Sequence, residues 1–161
     1  MNVARAWLLM LAGFAANVVA DEALDAAFDR DVLIIEASEH ACYRFDIWLA
    51  VARPQQMRGL MYVRNMPDTS GMLFVYDSHD YHSMWMKNTY ISLDIAFARA
   101  DGSISNIVTN TEPQSLKSIS STDAVRYVLE LNAGVTDRLS IDEQSRLLWG
   151  PVFDDGSDDD E

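Results

Sequence analysis

The chain has a single cysteine, Cys42, and half as many basic residues as acidic ones, 12 against 25, for a net charge of −13. Each shortage excludes something. One cysteine permits no intramolecular disulfide, and its expected role is that of a semi-buried thiol acting as a small hydrophobe. An acidic chain repels phosphate backbones, so no nucleic-acid partner is expected. Gly-x-Ser-x-Gly, a phosphate-binding glycine-rich loop, His-Glu-x-x-His and Cys-x-x-Cys are all missing, which removes the commonest hydrolase, nucleotide-binding, zinc-peptidase and redox templates. There is no internal repeat. No cofactor is implied.

What is present begins with a secretory pattern. Arg5 precedes an apolar run from Ala6 to Ala16, and the small residues Val18-Val19-Ala20 stand before Asp21. The run is shorter than the roughly 20 apolar residues that span a bilayer, so residues 1–20 read as a removable signal peptide rather than an anchor. The mature chain is then expected to start at Asp21, exported to the periplasm or secreted, and not integral to the membrane. Removing residues 1–20 takes away Arg5 and no acid, leaving 11 bases against 25 acids, a net of −14. Six of those acids lie in 154–161 and five in 21–31, so the acidity is placed in solvated, disordered ends. Residues 32–153 are expected to form one globular domain between an acidic N-terminal segment, 21–31, and an acidic disordered tail, 154–161.

Within that domain the pattern is short strands. Ala41 to Val51 alternates, with Tyr43, Phe45 and Ile47 on one face and Arg44, Asp46 and Trp48 on the other. Asp31 to Ala37 is expected to pair with it as a hairpin through Ser38-Glu39-His40. Pro54 suits a first helical turn, and Met57, Leu60 and Met61 extend one stripe, predicting a helix from Pro54 to about Val63. Strands are expected at 72–76, 83–88, 91–98 and 103–109 as an antiparallel meander, with Asp101-Gly102 as a tight turn. Val125 to Leu131 and Leu147-Leu148-Trp149 complete the set, with a helical turn between Ala133 and Leu139. The fold class is α+β, mainly β: a small curled antiparallel sheet or partly closed barrel with one or two short helices.

Arg58-Gly59-Leu60-Met61, Gly71-Met72-Leu73-Phe74-Val75, Trp85-Met86-Lys87-Asn88-Thr89, Leu93-Asp94-Ile95 and Val128-Leu129-Glu130-Leu131-Asn132-Ala133-Gly134 occur in that order. Together they closely resemble the bacterial and archaeal family called domain of unknown function 192, over about Val51 to Leu139. The resemblance implies a small β-rich domain, often exported, and no established activity. The chain departs from the family pattern at Ser92, where a proline is usual, and at Gln144-Ser145, where a Gly-Asp turn is usual.

The candidate site residues are Arg58, Lys87, Asn88, Thr89 and Asp94, with Glu130 added as a second carboxylate. Alternation places Asp94 opposite Ile91, Leu93 and Ile95, and places Glu130 with Arg126 and Val128, so Lys87, Asp94 and Glu130 meet on one surface if their strands are neighbours. Two readings stand. Lys87, Asp94 and Arg58 are paired charges that fix register, or they line a polar pocket for a small molecule or envelope ligand in a binding or accessory module. An enzyme is the rival, a hydrolase of an envelope polymer or small polar substrate with Asp94, Glu130 and Lys87 as candidate catalytic residues. A third alternative is a copper-binding periplasmic protein using His82, Met84 and Met86, although the expectation is that no metal is held.

Overall fold

Two runs of β-branched and aromatic residues begin the domain as a hairpin. In the computed structural model, which describes residues 18–37 and 41–150 and the side chains from Glu22 onward, β1 (Asp29–Glu36) lies antiparallel to β2 (Cys42–Ala50), in register from Asp29↔Leu49 to Glu36↔Cys42. The connecting Ser38, Glu39 and His40, the apolar run at 6–16 and the acidic tail at 154–161 fall outside the described residues. From β2 the chain crosses through α2 (Arg53–Arg58) and returns as β3 (Ser70–Asp80), parallel to β2. β8 (Val125–Asn132) sits between β3 and β5 (Leu93–Ala98), antiparallel to both, and β5 turns through Asp101-Gly102 into β6 (Ile104–Val108). β9 (Arg146–Leu148) pairs with β1 on the far side.

The resulting order, β6-β5-β8-β3-β2-β1-β9, is a nearly closed barrel of seven strands. Its two edges meet at a Ser103↔Arg146 bridge, flanked by Leu147 N donating to Gly102 O at 2.9 Å and Ile104 N donating to Ser145 O at 3.3 Å. Gly102 allows this seam. Its φ is +82°, and a Cβ there would lie 2.1 Å from the Leu147 carbonyl oxygen, a distance no side chain tolerates.

The expected meander holds only for β5 and β6. The stretch 83–88 is cut to β4 (Ser83–Met84), which leaves the barrel and pairs with β7 (Ile119–Ser120) in a separate ribbon. Beyond it, Lys87 and Asn88 form a turn, and Asn88 takes a left-handed φ of 56° that asparagine accepts more readily than most residues. The predicted helix 54–63 stops at Arg58 because Gly59 leaves helical geometry at φ 48° and ψ −140°, at a place where a Cβ would lie 3.1 Å from the Phe74 ring. A third helix, α3 (Val135–Arg138), follows β8. Among the described residues no helix is long and apolar enough to cross a membrane.

The acidic segment 21–31 is not a solvated tail where it is described. α1 (Val18–Asp25) and the start of β1 occupy it, with Leu24 and Phe28 buried, each anchor contributing about 1.5–3 kcal/mol. Asp25 accepts from Trp48 Nε1 at 2.8 Å and pairs with Arg30 at 3.1 Å, so two of its neighbours offset its charge. Cys42 is also a correction: it is exposed at the start of β2, not semi-buried.

Alternation sends side chains to two cores. Phe45, Ile47, Leu73, Leu129, Leu131 and Leu147 fill the barrel interior, while Trp48, Met72, Phe74, Met86, Ile95 and Phe97 face outward under α1, α2 and the 59–66 segment. The barrel wall is thus buried on both sides. The outer cover is built of short pieces, and it leaves a gap.

Candidate functional site

Asp94 and Glu130 lie on adjacent strands, but the register settles their relation. Glu130 is opposite Ile95 and Asp94 is opposite Leu131, so the two carboxylates point to opposite faces of the sheet. Asp94 is fully buried and accepts three hydrogen bonds: from Asn110 N at 2.9 Å, Thr136 N at 3.1 Å and Thr136 Oγ1 at 2.7 Å. These tie β5 to α3 and to the end of β6. Neither Lys87 nor Arg58 reaches it; the four ion pairs among the described residues are Arg30–Asp25, Arg44–Asp46, Arg99–Asp123 and Arg138–Asp68. Among the described residues the expected Lys87–Asp94 pair and the Asp94/Glu130 acid–base pair are therefore both absent: the pleat sends Asp94 and Glu130 to opposite faces, and Lys87 sits in a turn beyond β4.

Glu130 faces the gap in the outer cover. A cavity of about 730 Å³ opens there between α2, the outer face of β3 and the segment from His82 to Thr89, with Glu130 among its lining residues. Only 4% of Glu130 is exposed, and no group among the described residues donates a hydrogen bond to its carboxyl. Burial pushes its pKa from 4.5 up to about 8, so at neutral pH it is largely protonated. Tyr76 stands on the same face of β3, two residues beyond Phe74, and its hydroxyl donates to Met84 Sδ at 3.7 Å. Desolvation, and then the nearby Glu130 charge, push that phenol up to about 12. The His82 ring stacks on Tyr76 with centroids 3.6 Å apart. Burial lowers the His82 pKa, against the opposing pull of Asp80 and the Ser78 backbone, and its Nε2 is buried without a hydrogen-bond partner.

The mouth of the cavity has a different character. Arg53, Arg58 and Lys87 line it, and none of them makes an ion pair among the described residues. Lys87 Nζ rests 5.0 Å from the Trp85 ring centroid; Arg58 lies over Phe28 at 5.3 Å and donates to Ala23 O at 3.2 Å. Met57, Trp85 and Leu116 complete the rim, exposed by 57%, 43% and 69%.

Of the sequence candidates, Arg58, Lys87, Thr89 and Glu130 line this cavity. Asn88 does not: it donates to Tyr62 Oη at 3.1 Å and accepts from Tyr62 N at 2.8 Å, lacing the Lys87-Asn88 turn to the 60s segment. Tyr76, Arg53 and the rim apolar residues were not singled out by sequence. The alternation Met72, Phe74, Tyr76 carries the signal, ending in an aromatic with a polar tip. The three-residue His82, Met84, Met86 set is broken, since Met86 is fully buried in the core and its sulfur accepts from Thr111 Oγ1 at 3.3 Å. No cluster of three or more His, Cys, Asp or Glu suited to a metal occurs among the described residues.

Comparison with known proteins agrees with this architecture. A Sinorhizobium meliloti 1021 protein described as a candidate transcription regulator shares 38% identity with this chain at a TM-score of 0.73, covering 74% of this chain and 93% of that one. A Novosphingobium aromaticivorans DSM 12444 protein of unknown function gives 28% identity and a TM-score of 0.74, covering 77% and 88%. No protein of curated function matches the chain significantly. Residues 34–149 match the family described as Uncharacterized ACR, domain of unknown function 192, and the chain belongs to that family.

Proposed function

We propose that this protein is an exported accessory module of the cell envelope whose outer-face cavity binds a small molecule. The observation that carries the binding reading is a cavity of about 730 Å³ whose lining holds the carboxyl of Glu130, 4% exposed, and His82 Nε2, buried without a hydrogen-bond partner among the described residues. Leaving a buried polar group unpaired costs about 1–3 kcal/mol and gives the fold nothing in return. A cavity of this size suits a small ligand, which typically occupies about 300–1,000 Å³. Export is supported by the basic start, short apolar run and small residues of 1–20. The acidic balance of the chain weighs against a nucleic-acid partner.

The test uses protein recovered from the exported fraction, whose N-terminal sequence is expected to begin at Asp21. A fragment mixture titrated into this ¹⁵N-labelled material should shift amides around Arg58, Lys87 and Glu130, and Ser118→Trp at the cavity mouth should abolish the response. Fragments that gather elsewhere, or that ignore Ser118→Trp, would refute the binding reading. A mature form retaining residues 7–14 would refute export.

A further inference from the structure

The distribution of basic groups singles out one place on an acidic molecule. The chain has 12 Lys and Arg against 25 Asp and Glu. Four arginines, at 30, 44, 99 and 138, are spent in ion pairs. Three other cations, Arg53, Arg58 and Lys87, converge on one cavity with no carboxylate paired to any of them among the described residues, where the acids lining that cavity are Asp77 and the buried Glu130. Like charges gathered without counterions repel, so such an arrangement is stabilised by an anion placed among them. Beside these cations on the rim stand the exposed Met57, Trp85 and Leu116, and the buried Phe74 also lines the cavity, a surface suited to an apolar body.

Resting on the binding reading above, we infer that the ligand is a small amphipathic anion, its acidic group held at the mouth by Arg53, Arg58 and Lys87 and its apolar body seated against Met57, Trp85 and Leu116. An amine is the opposite choice: it would have to pass three cations to pair with Glu130. Glu130 raises no barrier to an anion while it keeps its proton, and nothing around it supplies the positive partner that ionisation would require. The mouth is also where an anion would benefit most from the protein, because Lys87 and Arg58 already rest on aromatic rings and need little further ordering.

Three matched probes decide the matter: hexanoate, hexylammonium and hexan-1-ol, each titrated at pH 6.5 into the full exported chain and followed by ¹H–¹⁵N spectra. Hexanoate is expected to move the amides of Met57, Arg58, Lys87 and Leu116 and to bind about fivefold or more tightly than hexylammonium, the scale of a partly exposed ion pair. In Arg53→Gln/Lys87→Gln, which changes two exposed side chains and should leave the rest of the spectrum in place, hexanoate should lose that advantage while hexan-1-ol is unaffected. Tighter binding of hexylammonium, or a double variant that binds hexanoate as well as the parent, would overturn the ligand class and leave the binding reading standing. Failure of all three probes to move any cavity amide would remove both.

Discussion

Asp94 and Glu130 are carboxyl groups on neighbouring strands of one sheet, both nearly or fully buried, and their surroundings have little else in common. Asp94 points into the wall's inner side, where three donors from two different elements converge on it. Glu130 points outward to a cavity, and no group among the described residues donates to it. The inner side is closed by all seven strands, with residues such as Leu33, Phe45, Leu129 and Leu147 meeting across it. The outer side is closed by two short helices and loops, and that patchwork leaves room beside α2. Burial therefore does not distinguish a structural carboxylate from a functional one. Whether its hydrogen bonds are made does.

The largest effect should come from removing the satisfied group. Asp94→Ala orphans Asn110 N, Thr136 N and Thr136 Oγ1, and each buried unpaired donor costs about 1–3 kcal/mol, so a loss of about 5 kcal/mol is expected. Glu130→Gln removes no made hydrogen bond and should change stability by less than about 1 kcal/mol at pH 4, where Glu130 keeps its proton in the folded and the unfolded state alike. Urea unfolding of the two variants side by side measures the contrast directly. Equal losses would mean that the two carboxylates do the same job.

A smaller but more diagnostic effect is in pH. The Glu130 pKa rises from 4.5 to about 8 on folding, so between those values the folded state holds a proton that the unfolded state has released. Its contribution is fully present below about pH 4.5 and is lost as the pH rises through about 8, an effect on the order of 5 kcal/mol across the window. The other ionisable groups lining this cavity are Tyr76, Asp77 and His82, with Arg53 and Arg58 from α2 and Lys87 from the turn. In Glu130→Gln the decline should flatten between about pH 4.5 and 8. A parent and variant with parallel profiles would show that Glu130 ionises freely in the fold.

How much of this was legible beforehand follows from the same contrast. Period-two alternation in 41–51 and 125–131 was enough to place β2 and β8, and Asp101-Gly102 marked the β5–β6 turn, because those signals are local. The parallel return of β3 through α2 was not visible, since parallel and antiparallel strands carry the same alternation. The site was half legible: Lys87, Arg58, Thr89 and Glu130 stood out as polar residues inside apolar motifs. Asp94 stood out for the same reason and was misassigned, because its donors are backbone groups of Asn110 and Thr136 and a side chain 42 positions away, none of them marked in sequence. Tyr76 and Arg53 were missed because a cavity wall is made by elements that the chain brings together only in three dimensions.

The smallest effect expected is at Ser92, where the chain leaves the outer cover and enters the wall, and where the family resemblance implies a proline. Ser92 Oγ donates to Thr111 O at 2.7 Å, and Thr111 in turn donates to Leu93 O and accepts from Leu93 N, so the junction is hydrogen-bonded from both sides. Ser92→Pro removes the first of these bonds, a loss of about 1 kcal/mol. Among the described residues the Ser92 N–H donates to no backbone group, so the ring deletes no ladder bond, while its O still accepts from Ala133 N at 3.1 Å. Proline also narrows the unfolded ensemble, which stabilises by about 0.4–1 kcal/mol where the backbone accepts it. The two nearly cancel, and a net change within about 1 kcal/mol is expected by thermal or urea unfolding. A loss several times larger would mean that Ser92 holds cover and wall together, so that the outer cavity depends on this junction as well as on α2.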